Sequence, residues 1–252
     1  MENILSFIPL DITLIAQNFD RFLYGVWVTL NLTFLALLIG GLLAIPMAIA
    51  RASRHAVLNP IIWGYTYVFR GTPLLVQTYL IYYGLGQFDV IRQSWLWEPV
   101  LSSAWWCALI AFTLNTAAYS TELLRGAIVD TSKGEVEAAI ATGHSYRSRM
   151  RRIVLPSAFR RAIPAYSNEV IFMLHGSVVA STITLQDILG VGRWLNGRYY
   201  LAYEGFITAA LLYFLIVLCI TWAFRWLERR YLRHLARRET PAAARMDPEP
   251  TR

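Results

Sequence analysis

Long uncharged blocks separated by charged stretches dominate the hydrophobic pattern of this chain. Four blocks contain no charged residue, and a fifth is interrupted only by Glu169 and His175. The five blocks cover residues 22–50, 71–88, 99–121, 162–186 and 205–224. Each is long enough to cross a hydrocarbon core of about 30 Å as a helix of about 20 residues. The pattern therefore predicts an all-α membrane protein with five transmembrane helices.

Polar residues at the start of the second block indicate a water-lined path. Arg70, Gly71 and Thr72 stand immediately before Pro73. An arginine at membrane depth should face protein or water, because facing lipid is costly. Gly and Pro loosen helical hydrogen bonding, which is tolerated where the chain lines a cavity. Arg70, Gly71 and Thr72 are therefore predicted to border the path; the alternative is a structural arginine near the membrane interface.

The third block carries a polar seam. Asn115, Tyr119 and Glu122 are spaced i, i+4 and i+7, so they share one face of a helix. Such a seam needs a partner helix or water inside a membrane. Asn115 and Glu122 are therefore candidates for the path, and the alternative for Glu122 is that it marks the cytoplasmic end of the span.

The fourth block has polar groups on several helical faces, which a helix surrounded by lipid would not present. We therefore expect this helix to be covered by protein or to line a cavity. Glu169, His175 and Ser181 are its candidates for the path. Pro164 is placed in the first turn of this span, where proline is compatible with helix initiation.

Basic residues are concentrated in alternate connecting segments. Of the 23 Lys and Arg residues, 18 lie in 51–60, 122–161 and 225–252, whereas 1–21, 89–98 and 187–204 hold four basic and seven acidic residues. The positive-inside rule then predicts an outside N-terminus and a cytoplasmic C-terminus, as an odd number of spans requires. The net charge of +7 is explained by this orientation, and not by nucleic-acid binding.

The chain divides into three parts on this interpretation. Residues 1–21 are predicted to form a periplasmic or interfacial segment, 22–235 the transmembrane domain, and 236–252, which are polar and Pro-rich, a disordered cytoplasmic tail. Cys107 and Cys219 fall inside proposed spans, where we expect small hydrophobic side chains and no disulfide or metal site.

A basic segment at 133–164 looks soluble inside an otherwise apolar chain, and it is predicted to be a docking element. Val136, Ile140 and Gly143 fall at i, i+4 and i+7, so they form one apolar edge of a short helix that ends in glycine. The small side chains of Ala138 and Ala139 would let another surface approach the backbone closely, and arginines surround that contact.

The spacing in this segment resembles a known element. Glu-Ala-Ala, three residues, Gly, nine residues and Ile-x-Leu-Pro is similar to the cytoplasmic coupling loop of type I ABC importer permeases, here at about residues 130–161. The residues that carry this resemblance are Glu137, Ala138, Ala139, Gly143, Ile153, Leu155 and Pro156. Such a loop inserts into a groove on an ATPase subunit.

Further stretches resemble the polar amino acid permease family over about residues 20–230. They are FRGTPLLVQ at 69–77, LNTAAY at 114–119 and AYSNEVI at 165–171. MLHGS at 173–177 and AST at 180–182 are similar to the M-type subunits of histidine, lysine/arginine/ornithine and opine systems. Many relatives carry a Lys-Asp pair where this chain has His175-Gly176.

The resemblance implies a permease subunit of an ATP-driven importer of polar, basic amino acids or opines in the bacterial inner membrane. It implies two ATPase subunits, a homologous Q-type permease as heterodimer partner and a periplasmic substrate-binding protein. No Gly-x4-Gly-Lys-Ser/Thr loop occurs, and the single Lys133 stands between Ser132 and Gly134. ATP is therefore expected to be bound and hydrolysed on a separate chain, with neither a cofactor nor enzyme activity on this one.

Two other classes of function are compatible with a polar membrane path. An ATP-independent secondary transporter or channel needs no docking loop, and no internal repeat is visible here. An intramembrane enzyme would use Glu122, Glu169 or His175 as acid or base, but no metal or nucleophile spacing accompanies them. Copurification with an ATPase subunit separates the importer from both.

The implied ligand is zwitterionic or cationic, which suggests roles for the charged residues. Glu169 is predicted to pair with an ammonium or guanidinium group, and Gly176, about two turns on, to leave room beside it. Arg70 and the Gly71-Thr72 backbone are the candidates for a ligand carboxylate. The alternative is that Glu169 forms a structural ion pair with Arg70 or with the partner subunit.

Overall fold

Helices provide all the regular structure of the part of the chain that the computed structural model describes, residues 12–53 and 55–231. The prediction of an all-α protein is confirmed. In chain order the helices are α1 (Ile12–Gln17), α2 (Phe19–Ala52), α3 (Leu58–Gly71), α4 (Leu74–Tyr79), α5 (Asp89–Arg92), α6 (Ala104–Val129), α7 (Lys133–Ala141), α8 (Tyr146–Arg149), α9 (Leu155–Gly176), α10 (Ile188–Tyr199) and α11 (Ala202–Tyr231). The predicted disordered tail and most of the predicted N-terminal segment lie outside the described residues.

The centre of the fold is the contact between α2 and α6. A Cβ atom added at Gly40 of α2 would lie 2.8 Å from the Thr116 side chain of α6, so glycine permits the two helices to approach closely. Leu32 and Phe112 are fully buried in the adjoining apolar cluster, which Met173 of α9 completes. Because α6 is buried along much of its length, it is the helix around which the cavity walls are arranged.

The transmembrane spans are less uniform than the sequence pattern predicts. By length and composition, α2 and α11 are able to cross a membrane, and a third span arises if Tyr146–Ile183 and Ile188–Tyr199, which are bent by 41°, count as one. α6 has 26 residues, but its polar seam and aromatic residues lower its apolar character. α3 has only 14 residues and stops at Gly71. The number of five spans and the orientation remain predictions.

The fourth predicted span begins earlier than expected. α9 starts at Leu155 with Pro156 in its first turn, so Pro164 lies inside the helix and does not initiate it. A turn of π-helix at Met150–Val154 precedes α9, and a 3-10 segment at Ser177–Ile183 follows it. The chain is therefore helical from Tyr146 to Ile183, so the second half of the docking segment continues directly into the most polar span.

Asp187 holds the bend between this span and α10. Its Oδ1 accepts a hydrogen bond from the Gly190 N–H at 2.7 Å, which caps α10, and its Oδ2 accepts one from the Tyr213 hydroxyl at 3.2 Å. The Ile188 N–H donates to Thr29 Oγ1 of α2 at 3.3 Å. These contacts tie the start of α10 to α11 and α2, so the bend is defined by the chain itself.

Candidate functional site

A cavity of about 510 Å³ lies where the break between α3 and α4 faces α6 and α9. Its lining combines both charge signs with amide and aromatic groups. The lining residues are Arg70, Gly71, Thr72, Pro73, Leu74, Asn115, Tyr119, Glu169, Phe172, Met173 and Gly176. Five predicted path residues thus meet in one place, namely Arg70, Gly71, Thr72, Asn115 and Glu169.

The break between α3 and α4 is stabilised by two side-chain amides. Gln77 Nε2 donates to the Phe69 carbonyl at 2.8 Å, to the Thr72 carbonyl at 3.0 Å and to Thr72 Oγ1 at 2.8 Å. Asn115 Nδ2 donates to the Phe69 carbonyl at 3.3 Å and to Gln77 Oε1 at 3.1 Å. The last carbonyls of a helix have no intrahelical donor, and these amides replace the missing bonds.

Gln77 is a site residue that the sequence analysis did not single out. It is 6% exposed, and it lies within the stretch that carries the family resemblance. Four residues separate it from the Thr72-Pro73 break, which is where a buried amide would be needed to satisfy open carbonyls. The polar contacts of Asn115 are also with the chain's own backbone and with Gln77, so Asn115 shapes the cavity wall.

The Thr72 hydroxyl is committed to the same network. It donates to the Val68 carbonyl at 2.8 Å while it accepts from Gln77. Gly71 is the last residue of α3. The Thr72 hydroxyl is therefore not free to bind a ligand carboxylate, and the Arg70 guanidinium is the predicted carboxylate-binding group that brings a positive charge to the cavity.

Arg70 is positioned by an aromatic ring. Its guanidinium carbon lies 5.3 Å from the centroid of the Tyr119 ring, within the range of a cation–π contact. The Tyr119 hydroxyl donates to the Arg70 carbonyl at 3.3 Å. Tyr119 thus contacts both the backbone and the side chain of Arg70, and it joins α6 to the end of α3.

Glu169 presents a carboxylate to the cavity from α9, although the residue is only 8% exposed. Within the described ranges, both direct ion pairs involve Glu122, so the Glu169 carboxylate and the Arg70 guanidinium face the same cavity without touching. The described side chains donate no hydrogen bond to this carboxylate by direct contact. A buried carboxylate in this position is suited to a cationic group that enters the cavity.

Gly176 lines the same cavity as Glu169, and it also lies close to Leu74 of α4. A Cβ atom at Gly176 would lie 2.9 Å from Leu74 Cδ2. The missing side chain therefore allows α9 to pack against the first residue of α4. A larger residue at this position would press on the Leu74 side chain and reduce the space in the cavity.

Glu122 is not among the cavity residues, which corrects its assignment to the path. Its carboxylate pairs with Arg51 Nε at 3.0 Å and Arg125 Nε at 2.7 Å, and it accepts a hydrogen bond from Thr66 Oγ1 at 3.1 Å. Arg51 also binds the side chain of Asn59. The three residues of the polar seam of α6 therefore have different roles. Asn115 and Tyr119 line the cavity, whereas Glu122 joins α2, α3 and α6.

His175 and Ser181 also lie outside the cavity lining. His175 is exposed, one turn beyond the cavity-lining Phe172. Ser181 lies in the 3-10 segment, where its hydroxyl donates to the Val178 carbonyl at 2.9 Å and accepts from Arg193 Nη1 at 3.5 Å. Helical spacing indicates the face a residue occupies, but it does not show which side chains on that face reach the cavity.

The docking segment begins with α7, a helix capped by Ser132, whose Oγ accepts from the Glu135 N–H at 3.4 Å. Glu137 and Ala138 are exposed, as a docking surface requires. Ala139 is only 3% exposed, so its small side chain serves packing within this chain and not close approach by another surface. Ile140 is 54% exposed, which leaves an apolar side chain available to a partner.

Gly143 reverses the chain after α7. Its φ is +77°, and a Cβ atom added there would meet no other atom within 4 Å, so backbone conformation and not crowding requires glycine. The His144 N–H then donates to the Ala139 carbonyl at 3.0 Å, as in the glycine motifs that end helices.

The second half of the loop motif leads directly into α9. Ile153 lies in the π-helical turn, Leu155 and Pro156 open α9, and all three are half-buried. Leu155 packs on an apolar cluster that contains Leu124 and Ile128 of α6. These residues therefore seat the loop on the membrane helices, whereas the exposed residues of α7 lie at its outer surface.

Comparison with known proteins places this geometry in a family. The family described as binding-protein-dependent transport system inner membrane component matches residues 14–233. The nopaline transport system permease protein NocM of Agrobacterium fabrum is 41% identical over 213 residues, which cover 84% of this chain and 88% of that protein. The histidine/lysine/arginine/ornithine transport system permease protein HisM of Salmonella typhimurium is 43% identical over 212 residues, which cover 84% of this chain and 90% of that protein.

Solved structures show the same architecture. A crystal structure of an amino acid ABC transporter with histidines matches with a TM-score of 0.78 and 31% identity, over 88% of this chain and 100% of that chain. An inward-facing structure of the MetNI methionine ABC transporter shares the fold, with a TM-score of 0.71 and 19% identity over 85% of this chain and 98% of that chain. The resemblance seen in the loop and motifs is confirmed, and the chain belongs to the family of inner membrane components of binding-protein-dependent transport systems.

Proposed function

We propose that this chain is the translocation subunit of an ATP-driven importer that carries polar amino acids, basic ones in particular, or opines. Its family and the names of its relatives support this class of function. The observation that carries the substrate class is the cavity, in which Arg70 and Glu169 occur on different helices without pairing with each other.

The cavity chemistry fits a zwitterion with an additional cationic group. The Glu169 carboxylate would accept hydrogen bonds from an ammonium or guanidinium group, and the Arg70 guanidinium would donate to a carboxylate. The aromatic rings of Tyr119 and Phe172 line the same space and supply apolar contact. Gln77 and Asn115 keep the wall of α3 and α4 in place while the ligand passes.

Energy would come from ATP bound by two ATPase subunits. One of them would bind the loop of this chain at residues 130–161, and the other would bind the loop of the partner permease. The exposed Glu137 and Ala138, followed by the turn at Gly143, are the proposed contact surface. ATP binding would bias the permease pair between inward-facing and outward-facing arrangements, because each state offers the ATPase a different loop position. This chain would contribute no catalytic residue to hydrolysis.

A second permease of the Q-type and a periplasmic binding protein complete the proposed assembly. Asn168, Phe172 and His175 form an exposed stripe on α9, and Phe172 is 70% exposed. Polar groups in the middle of a membrane helix are expected to face protein or water. The stripe is therefore the proposed surface for the partner permease.

The proposed topology has five spans, an outside N-terminus and a cytoplasmic C-terminus. The distribution of basic residues supports it, since 18 of 23 lie in the three segments assigned to the cytoplasm. Single cysteines introduced at Gln93 and at Thr240, in a chain whose Cys219 is replaced by serine, are expected to react with impermeant reagents from opposite sides. Reaction from the same side contradicts an odd number of spans.

The substrate role is tested with Glu169→Gln in the complete complex, reconstituted in lipid vesicles with its binding protein. Glutamine keeps the shape of the side chain, so we expect normal assembly and basal ATPase activity. Uptake of a cationic amino acid such as L-arginine should fall by about 10-fold to 100-fold, since a hydrogen bond to a charged group contributes about 1.5–3 kcal/mol. Glu98→Gln, an exposed glutamate outside the cavity lining, is the matched control.

The outcomes separate the proposals. Poor assembly of Glu169→Gln would indicate a structural role for the carboxylate, and unchanged uptake would place the ligand on the partner permease. Uptake that continues without ATP or without the ATPase subunits would favour an ATP-independent secondary transporter or channel.

A further inference from the structure

Arg161 connects the two ends of the coupling loop. Its Nη2 donates to the Ala127 carbonyl at 2.9 Å and to Thr131 Oγ1 at 2.8 Å. Ala127 lies in the last turn of α6, and Thr131 follows where the loop departs, whereas Arg161 lies on α9 after the loop has returned. Thr131 and Arg161 are 30 positions apart along the chain, so one guanidinium closes the loop at its base.

The local geometry explains why an arginine performs this task. Nη1 donates to Ser157 Oγ at 2.6 Å, one turn earlier on α9, which orients the guanidinium toward α6. Carbonyls in the last turn of a helix lack intrahelical donors, and a cation is favourable at that end of the helix dipole. The planar guanidinium donates to several acceptors at once in a fixed arrangement, which an ammonium group does not reproduce.

Stability alone does not account for Arg161. Its Nε is buried and has no hydrogen-bond partner among the described residues, and leaving a buried donor unpaired costs free energy. The apolar cluster around Ile128, Val154 and Ala158 already holds the start of α9 against the end of α6. The arginine adds a directional link between the two ends of the loop, at the expense of one unsatisfied group.

The two helices joined by Arg161 also carry most of the cavity. Asn115 and Tyr119 lie on α6, and Glu169 and Phe172 lie on α9. Glu169 is eight residues beyond Arg161, about 12 Å along the helix. Because Arg161 links α6 and α9 at the base of the loop, a displacement of the loop acts on both cavity helices.

We propose that Arg161 is a positioning residue for energy coupling: by linking the base of the loop, it makes α6 and α9 move together when the ATPase displaces the loop. The inference rests on the proposed function. Without the link, the loop still docks, but its movement spreads the two helices apart at their ends and is transmitted less completely to the cavity.

The test compares Arg161→Gln with wild type in the complete complex, reconstituted in lipid vesicles with its binding protein and L-arginine as the transported probe. We expect the ATPase subunits to copurify and basal ATP hydrolysis to persist, while uptake per ATP hydrolysed falls about tenfold, within the usual range of coupling between sites. A purely structural role would lower uptake and hydrolysis together. That ratio is therefore the decisive measurement.

Arg160→Gln is the matched control, because the one acceptor of Arg160 among the described residues is the Pro156 carbonyl of its own helix, at 3.3 Å. It should leave uptake per ATP at the wild-type level. Arg161→Lys should recover part of the ratio at most, because the ammonium group does not reproduce the arrangement of donors. An Arg161→Gln complex that assembles with a wild-type ratio overturns the proposal, as does a parallel loss of uptake and hydrolysis.

A covalent link provides an independent test. Thr131→Cys and Arg161→Cys are combined in a chain with Cys219→Ser, since Cys219 is exposed and free, and joined by a short thiol-to-thiol reagent. The linked complex should regain uptake per ATP, and a low ratio after complete linkage contradicts the inference. If Arg161→Gln does not assemble, Arg161→Lys decides, because it keeps the charge but not the arrangement of donors: a ratio below wild type in the assembled complex supports the link, and a wild-type ratio overturns it. Absence of ATP-dependent uptake by the wild-type complex overturns the proposed function and this inference with it.

Discussion

Around the cavity, the residues that shape the wall are held by the chain's own hydrogen bonds, whereas the coupling loop turns much of its docking motif away from the chain. Gln77 and Asn115 are both buried, and each donates to more than one acceptor. Glu137 and Ala138 are exposed. The break between α3 and α4, which forms one wall of the cavity, is therefore held by this chain's own residues, whereas the exposed side chains of α7 have no such contacts among the described residues to hold them.

The loop itself contains both buried and exposed residues. Ala139 is buried next to the exposed Ala138, and Leu155 packs on the ends of α2 and α6. A short stretch of sequence thus contains both kinds of residue, one that maintains the loop and one that is proposed to contact the ATPase. Neighbouring substitutions on α7 are expected to act by different mechanisms.

Gln77→Leu should have the largest effect on stability. Leucine has a similar size but leaves the Phe69 and Thr72 carbonyls without the Gln77 donor, at a cost of about 1–3 kcal/mol for each buried group that stays unsatisfied. We expect lower thermal stability of the detergent-solubilised complex and loss of uptake. Gln87→Leu, an exposed position nearby, should change neither quantity. Unchanged stability of Gln77→Leu would mean that Asn115 alone maintains the break.

Ala139→Arg should have a smaller effect that is confined to the loop. A charged side chain does not fit a position that is 3% exposed, so α7 is expected to loosen while the membrane helices remain folded. Limited proteolysis should show new cleavage between residues 130 and 150, and the ATPase subunits should no longer copurify. A loop as resistant to protease as wild type contradicts the assignment of Ala139 to packing.

Ala138→Arg should have the smallest effect on the chain itself. The position is exposed, so thermal stability and protease resistance should stay at wild-type values. Copurification of the ATPase should nevertheless fall, because the long side chain prevents close approach to the helix. Normal copurification and uptake would show that the partner contacts another part of the loop.

Sequence patterns predicted the residues that line the cavity better than the residues that hold the surrounding helices in place. Arg70 and Glu169 were identifiable because a charge inside an apolar block must be covered or solvated, whichever residues surround it. Glu122 was assigned to the same path because helical spacing shows the face of a residue but not the neighbour at that height; Arg51 and Arg125 determine its role.

Gln77 and Pro164 show a second limit of sequence patterns. An uncharged amide in an apolar block gives little signal, and only the open carbonyls at the break explain why Gln77 is needed. Both Pro156 and Pro164 are compatible with the start of a helix, since proline in a first turn loses no hydrogen bond. The choice between them depended on packing of the first turns of α9 against the end of α6.

The break between α3 and α4 has a consequence for biosynthesis. α3 is only 14 residues long, about 21 Å, which is shorter than the hydrocarbon core. The Phe69 carbonyl receives one hydrogen bond from Gln77, eight residues later, and another from Asn115, 46 residues later. As the ribosome produces the chain from its N-terminus, the Gln77 amide is made before the Asn115 amide. We therefore expect this wall of the cavity to form in two steps, the first local and the second dependent on α6, which is synthesised later.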